Sequence, residues 1–446
     1  MIRPRPRWWV APVLALAPIA VTHAEITDER LDELARGIET KLIDWRRDIH
    51  RNPELSNREF KTSKKVEAQL RRLGLEVRTG IAHTGVVALL RGAKPGPTIA
   101  LRADMDGLPV TERVDLPFKS TVTAEYNGQT VGVMHACGHD THTAILMAAA
   151  EIFSGLRGDL PGNVLFIFQP AEEGPPVGEE GGAPLMLKEG LFDTYRPDVA
   201  FGFHVHYSLH AGDVGYKAGP FMAASDRFSI VVNGRQTHGA RPWQGIDPVV
   251  TAAAIVTALQ TVVSRQVDLT QNPAVVTVGT IRGGMRFNII PDNVEMTGTI
   301  RTFDPAQRAD ILESVNRVVQ NVAGANGATA TFEIGADGNP VTFNNLMLTE
   351  HVVPSLERAL GKEHVKRISL ETGAEDFAHF AQKVPSFYYF IGATPREQSL
   401  LTTPANHSPL FFVDESALMV GLRSLLYVAV DYLEATPATK TANQSP

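Results

Sequence analysis

Two apolar runs constrain this chain more than any other feature: NVLFIFQP at 163–170 and DVAFGFH at 198–204. Neither alternates polar with apolar residues, and both stop abruptly in polar ones. A strand that is apolar on both faces must be covered on both faces, which suits a parallel sheet between two layers of helices. GVVALLR at 85–91 and TIALRAD at 98–104 are also strand-like, and THTAILMAAAEIF reads as a buried helix. Two amphipathic helical stretches parted by RNPELSN fill residues 26–74. The expected fold class is therefore α/β, with a mostly parallel sheet.

The rhythm changes from Ser225 to Gly335. There the strands DRFSIVVN, NPAVVTVGTIRG, NVEMTGTIRTF and ATATFEIG frame two helices in the order strand, helix, strand, strand, helix, strand. That order is the ferredoxin-like split β-α-β arrangement. The second helix opens at DPAQ, where Asp304 can cap, Pro305 fits the first turn and Gln307 can complete a capping box. Mixed α/β character returns from Val341. The simplest organisation is a catalytic domain in two segments, 25–222 and 336–435, with a smaller α+β domain inserted at 223–335 and a polar, disordered tail at 436–446.

The N-terminus stands apart. MIRPRPR, WWVAPVLALAPIAV and VTHA form the basic, apolar and small-residue regions of a secretory signal cleaved after Ala24. An uncleaved anchor is the alternative, although the apolar run is short of the roughly 20 residues a membrane helix needs. No other segment reads as a bilayer span, so the expected location is the periplasm or the exterior, without stable membrane association after cleavage. With 42 Lys+Arg against 49 Asp+Glu the net charge is -7, which gives no electrostatic case for nucleic acid. The one cysteine, Cys137, cannot form an intramolecular disulfide.

Its neighbours suggest another use for it. HACGHDTH places His135, Cys137, His139 and His142 within eight residues at the start of a helix. Thiolate and imidazole are ligands for zinc and related metals; the alternative is a helix start with polar surface histidines. In QPAEEG, Glu172 and Glu173 follow a buried strand, where ligands of open α/β sheets gather. One carboxylate there could bind metal while the other handles a proton, or both could be solvated loop acids. Asp104 and Asp106 end an earlier strand, His204 and His206 end a later one, and His407 lies in a loop before the C-terminal helix. Three strands thus deliver metal-capable side chains to one sheet edge.

LRADMDGLP, HACGHDTH, QPAEEG, GFHVHY, GRQTHGARPWQGIDPV, FNIIPD, TGAEDF and NHSPLFFVDE occur in that order. Together they resemble the aminoacylase/carboxypeptidase superfamily of dinuclear metallohydrolases, and most closely its hippurate hydrolase and N-acyl-amino-acid amidohydrolase branch. The resemblance implies a zinc-peptidase-like catalytic domain with a lid and dimerisation domain inserted. It implies Cys137, His139, Glu173, His204 and His407 as ligands of two divalent ions, with Cys137 bridging, and Glu172 as general acid/base. His238 would reach a partner subunit's site to polarise the scissile carbonyl, Asn288 would position substrate, and Asp106 is better placed as an orienting partner than as a ligand. Two departures stand out: Tyr207 replaces a usual proline, and the GPPVGEEGGAP segment is long, with Glu179 and Glu180 read as surface acids.

The expected activity is metal-dependent hydrolysis of the amide in N-acyl amino acids, carried out by a homodimer. An exopeptidase of the same superfamily acting on short peptides, and a metal-binding protein without turnover, are the alternatives. The thiolate favours zinc, while the remaining ligands also accept manganese, cobalt or nickel.

Overall fold

The structure, a computed structural model, describes residues 26–435. The segment read as an export signal and the polar tail lie outside the described residues. At the centre is an eight-stranded sheet. In spatial order its strands are Glu76–Ile81, Gly85–Arg91, Pro161–Gln169, Lys94–Asp104, Val199–His210, Ser386–Thr394, Val214–Tyr216 and Val365–Arg367. From Pro161–Gln169 to Ser386–Thr394 the four central strands are parallel; antiparallel pairings flank them on both sides.

Burial on both faces explains the unbroken apolar runs. In Pro161–Gln169, Val164, Phe166 and Phe168 point into one core and Leu165 and Ile167 into the other. The larger core lies under helices Asp28–Arg51, Phe60–Arg72, His139–Gly155, Leu346–Leu360 and Ser416–Ala435. The smaller lies under the short helices Gly182–Lys188, Leu191–Tyr195 and Phe377–Ala381.

The inserted unit has a separate sheet, antiparallel throughout, in the order Val275–Arg282, Asn293–Thr302, Ala224–Asn233, Thr329–Ile334. Helices Pro248–Gln266 and Pro305–Ala325 pack on it over a core of its own. The chain enters and leaves through paired backbone: Ser225 and Asn339 exchange amide hydrogen bonds of 2.9 and 3.1 Å.

Three details depart from expectation. Asp304 does cap its helix, accepting from the Gln307 amide at 2.8 Å, but the Gln307 side chain bonds the Asn272 carbonyl instead of closing the box. The strand containing His204 continues to His210, so His206 lies within it. Finally, two helices, Pro248–Gln266 and Ser416–Ala435, are long and apolar enough to cross a membrane, whereas the sequence reading found none beyond the N-terminus. Ser416–Ala435 owes its composition to burial in the larger core.

Candidate metal centre and active site

The site lies beyond the carboxyl ends of the parallel strands. Gly138 starts the Cys137–His139 turn at φ +89°, and a Cβ there would lie 2.3 Å from Val205 Cγ2. Only glycine combines that backbone with that approach. Ala171, at φ +52°, makes the turn after Pro161–Gln169 and presents Glu172 and Glu173. His407, at φ +71°, is pinned by its amide bond to the Ala136 carbonyl at 2.8 Å. The Asn406 amide ties the same loop to the carbonyls of Cys137 and Val205.

These turns bring six of the predicted residues together. Cys137 Sγ lies 3.3 Å from His204 Nε2 and 3.2 Å from His407 Nε2. His407 Nε2 is 2.9 Å from Glu173 Oε1. His139 Nε2 lies 3.9 Å from Glu172 Oε2 and 4.0 Å from Glu173 Oε1. Ligand atoms of Cys137, His139 and His204 lie within 4.8 Å of one another, as do those of Cys137, Glu173 and His407. Cys137 belongs to both groups.

Asp106 orients the cluster. Its oxygens meet His139 Nδ1 at 3.1 Å, accept from the Glu172 and Glu173 amides, and accept from Ser56 Oγ at 2.7 Å. Asp104 does the same for His142, whose Nδ1 is 2.5 Å from Asp104 Oδ1 and whose Nε2 accepts from the Val205 amide. Those two bonds commit both nitrogens of His142 to holding the helix against the sheet. His135 is buried with neither ring nitrogen hydrogen-bonded.

The donor set fits divalent cations. His139 Nε2 is buried without a hydrogen-bond partner and points toward the two glutamates. Burial, reinforced by Glu173 and Glu172, pushes the Cys137 thiol well up. Burial, reinforced by Glu375 and Glu173, pushes the Glu172 carboxyl well up. Burial keeps His204 neutral, holding its pKa well below the usual range, which leaves a ring nitrogen to coordinate. Crowded acids with a neutral imidazole and an orphaned nitrogen are the arrangement a cation relieves.

A cavity of about 420 Å³ opens beside the cluster, lined by Cys137, Glu172, Glu173, His204 and His407. Sequence reasoning missed several of its other residues: Glu371, Glu375, Asn339 and, from the inserted unit, Arg301. Glu375 belongs to a buried network. Arg102 bonds Asp104, Gln169, Glu375 and Asp376, and Tyr388 Oη donates to Glu375 at 2.5 Å. Burial outweighs the attraction of Arg102 and raises the Asp376 carboxyl to about 7. The TGAEDF motif carries both acids, but nothing local shows that Arg102, some 270 residues earlier, meets them.

His238 and Asn288 lie elsewhere. His238 is exposed on the short strand Thr237–His238, paired with Ile289–Ile290, and the Gly239 amide donates to the Asn288 carbonyl at 2.9 Å. Neither lines the cavity of this chain. Glu179 is held by Arg58 and Asn57, and Glu180 by Lys188, both away from the cluster.

A thiol, imidazoles and paired carboxylates at the open end of an α/β sheet, beside a cavity for a small molecule, define the site of a metal-dependent hydrolase. Comparison with known proteins specifies the group. The model of peptidase family M20/M25/M40 matches residues 100–431, and the chain belongs to that family. It is 40% identical over 405 residues to thermostable carboxypeptidase 2 of Saccharolobus solfataricus, covering 91% of this chain and 98% of that protein. It is 37% identical over 404 residues to N-acetylcysteine deacetylase of Bacillus subtilis, covering 90% of this chain and 98% of that one. Among solved structures, the YXEP protein of Bacillus subtilis, a dinuclear metal-binding peptidase of the M20 family, superimposes with a TM-score of 0.73 at 35% identity, covering 90% of this chain and 99% of that chain. The chain is accordingly an enzyme, a metal-dependent hydrolase acting on amide bonds.

Proposed function

We propose that this protein is an exported amidohydrolase that releases amino acids from N-acyl conjugates of the hippurate type. The observation that carries the reading is Glu172, a carboxylate 3.9 Å from His139 Nε2, set beside a thiol-centred ligand cluster in the lining of a substrate-sized cavity. Cys137, His139, Glu173, His204 and His407 would hold two divalent ions, which when bound supply Lewis acidity and lower the pKa of water. Glu172 Oε2 takes the proton from the attacking water and passes it to the leaving nitrogen, a role that its raised proton affinity suits. Arg301 offers a charge for the substrate carboxylate, since Asp226, which attracts it, is already bound bidentately by Arg308.

His238 acts in this reading from a second copy, as donor to the developing oxyanion, with Asn288 positioning substrate. The inserted unit carries the contact face: Trp243 is 76% exposed and Phe287 96% exposed. Apolar surface of that extent in neighbouring loops suits a partner subunit.

The test is metal content per chain, with release of amino acid from hippuryl and N-acetyl substrates before and after chelation. About two ions and chelator-sensitive release support the reading. Tight metal without turnover of acyl amino acids or dipeptides favours a binding protein. An exopeptidase reading has the carboxypeptidase relative in its favour, and preference for free dipeptides over acylated amino acids would select it.

A further inference from the structure

Of the cavity carboxylates, Glu371 belongs neither to the ligand cluster, nor to proton transfer, nor to the Arg102 network that holds Glu375. Glu371 is fixed by its backbone: its amide donates to the Phe221 carbonyl and its carbonyl accepts from the Ala223 amide, both at 3.0 Å. Its Oε1 accepts from the Gly373 amide at 3.2 Å. Its Oε2 lies 4.0 Å from His206 Nε2, and among the described residues this ring is its one ion-pair neighbour. His206 is equally fixed, stacked on Phe390 at 4.3 Å between centroids and 6° between planes, with Nδ1 at 2.7 Å from Ser208 Oγ. Both side chains line the cavity, and that of Glu371 is 35% exposed.

A held carboxylate whose one basic neighbour is an imidazole 4.0 Å away depends on water in the cavity for the rest of its solvation. A substrate that fills the cavity strips that water, and the desolvated charge is costly unless the substrate supplies a cation. A neutral group beside Glu371 is therefore penalised and an anionic one repelled, while an ammonium or guanidinium group gains a charge-assisted hydrogen bond.

We propose that Glu371, braced by His206, is a specificity-determining residue that selects amide substrates carrying a cationic group near the scissile bond. The proposal rests on the amidohydrolase reading and deepens it: Arg301 takes the carboxylate of the substrate, and Glu371 its positive charge, on either side of the scissile bond.

The experiment compares kcat/KM of the metal-loaded enzyme for hippuryl-lysine, hippuryl-leucine and hippuryl-glutamate, and for glycyl-leucine against acetyl-leucine, which moves the charge to the acyl side. Wild type should prefer the cationic member of at least one set by about tenfold or more. Glu371→Gln should collapse that preference, mostly through KM, and Glu371→Lys should shift it toward hippuryl-glutamate, with metal content equal to wild type in both. Calorimetry of lysine and leucine on the metal-loaded protein should show the same reversal. No cationic preference in either set, a preference that survives Glu371→Gln, or loss of metal in both variants would overturn the proposal. If wild type hydrolyses none of these amides, the functional reading fails and takes the proposal with it; if neutral amides are hydrolysed without cationic preference, only the proposal fails.

Discussion

Glu172 and Glu173 are adjacent in sequence, yet the structure gives them different neighbours. Glu173 Oε1 sits against His407, while Glu172 faces the buried acids Glu375 and Asp376 as well as His139. Removing the charge of Glu172 while keeping its shape should therefore separate binding from chemistry. Glu172→Gln is expected to retain the metal content of wild type and lose about 10²–10⁴ in kcat, as metal analysis and steady-state kinetics on the same preparation would measure; near-normal turnover would remove Glu172 from the mechanism. The cluster was legible at this scale because each of its residues sits in a dense local motif, at a helix start, after a strand or in a loop. Arg301, Asn339 and Glu371 were not, because each is an ordinary polar residue in its own segment and acquires meaning only where three segments converge on the cavity.

At the scale of elements, the turn before helix His139–Gly155 governs the site. That helix is buried along nearly its whole length, so it cannot shift to accommodate a change at its start. Gly138→Ala meets Val205 at 2.3 Å in a backbone conformation L residues rarely adopt. The expected cost is about 1–3 kcal/mol, with metal lost because Cys137 and His139 flank the turn. Denaturant unfolding together with metal analysis would check it, and a variant of unchanged stability and full metal content would show the turn to be more tolerant than its geometry implies. The long elements were legible from periodicity and from runs too apolar to face water. The short strands Val214–Tyr216 and Val365–Arg367 were not, since three residues carry no period and their pairing is set by the sheet beside them. The half-formed capping box at Asp304 has a similar cause: a loop carbonyl 35 residues earlier in sequence competes for the Gln307 side chain.

At the scale of the whole molecule, a core of its own and the paired backbone at Ser225 and Asn339 set the inserted unit off from the catalytic body. The proposed service of His238 to a partner's site makes a strong prediction. His238→Ala should lose about 10²–10³ in kcat, the usual cost of an oxyanion donor, without losing metal. Mixed with Glu172→Gln after dissociation and reassociation, it should recover up to about a quarter of wild-type activity, since half the two-fold dimers are mixed and each has one intact site. Two inactive variants that stay inactive when mixed, or a fully active monomer in sedimentation, would exclude the role. The order of elements in the inserted unit was legible because its helices and strands are long; the partner role of His238 came from the resemblance alone, because no segment of one chain contains the surface that a second chain would meet.

His407 stands 270 residues after Cys137, yet the two are in contact. The last residue of the proposed ligand set therefore arrives on a different stretch of polypeptide from the first four, within the final tenth of the described chain. A copy cut short by interrupted synthesis or trimmed by a protease before that point keeps the strands of the sheet but loses helix Ser416–Ala435 from the larger core together with one side of the proposed metal cluster. On that reading, loss of the chain from before His407 yields a silent protein rather than a hydrolase with loosened selectivity.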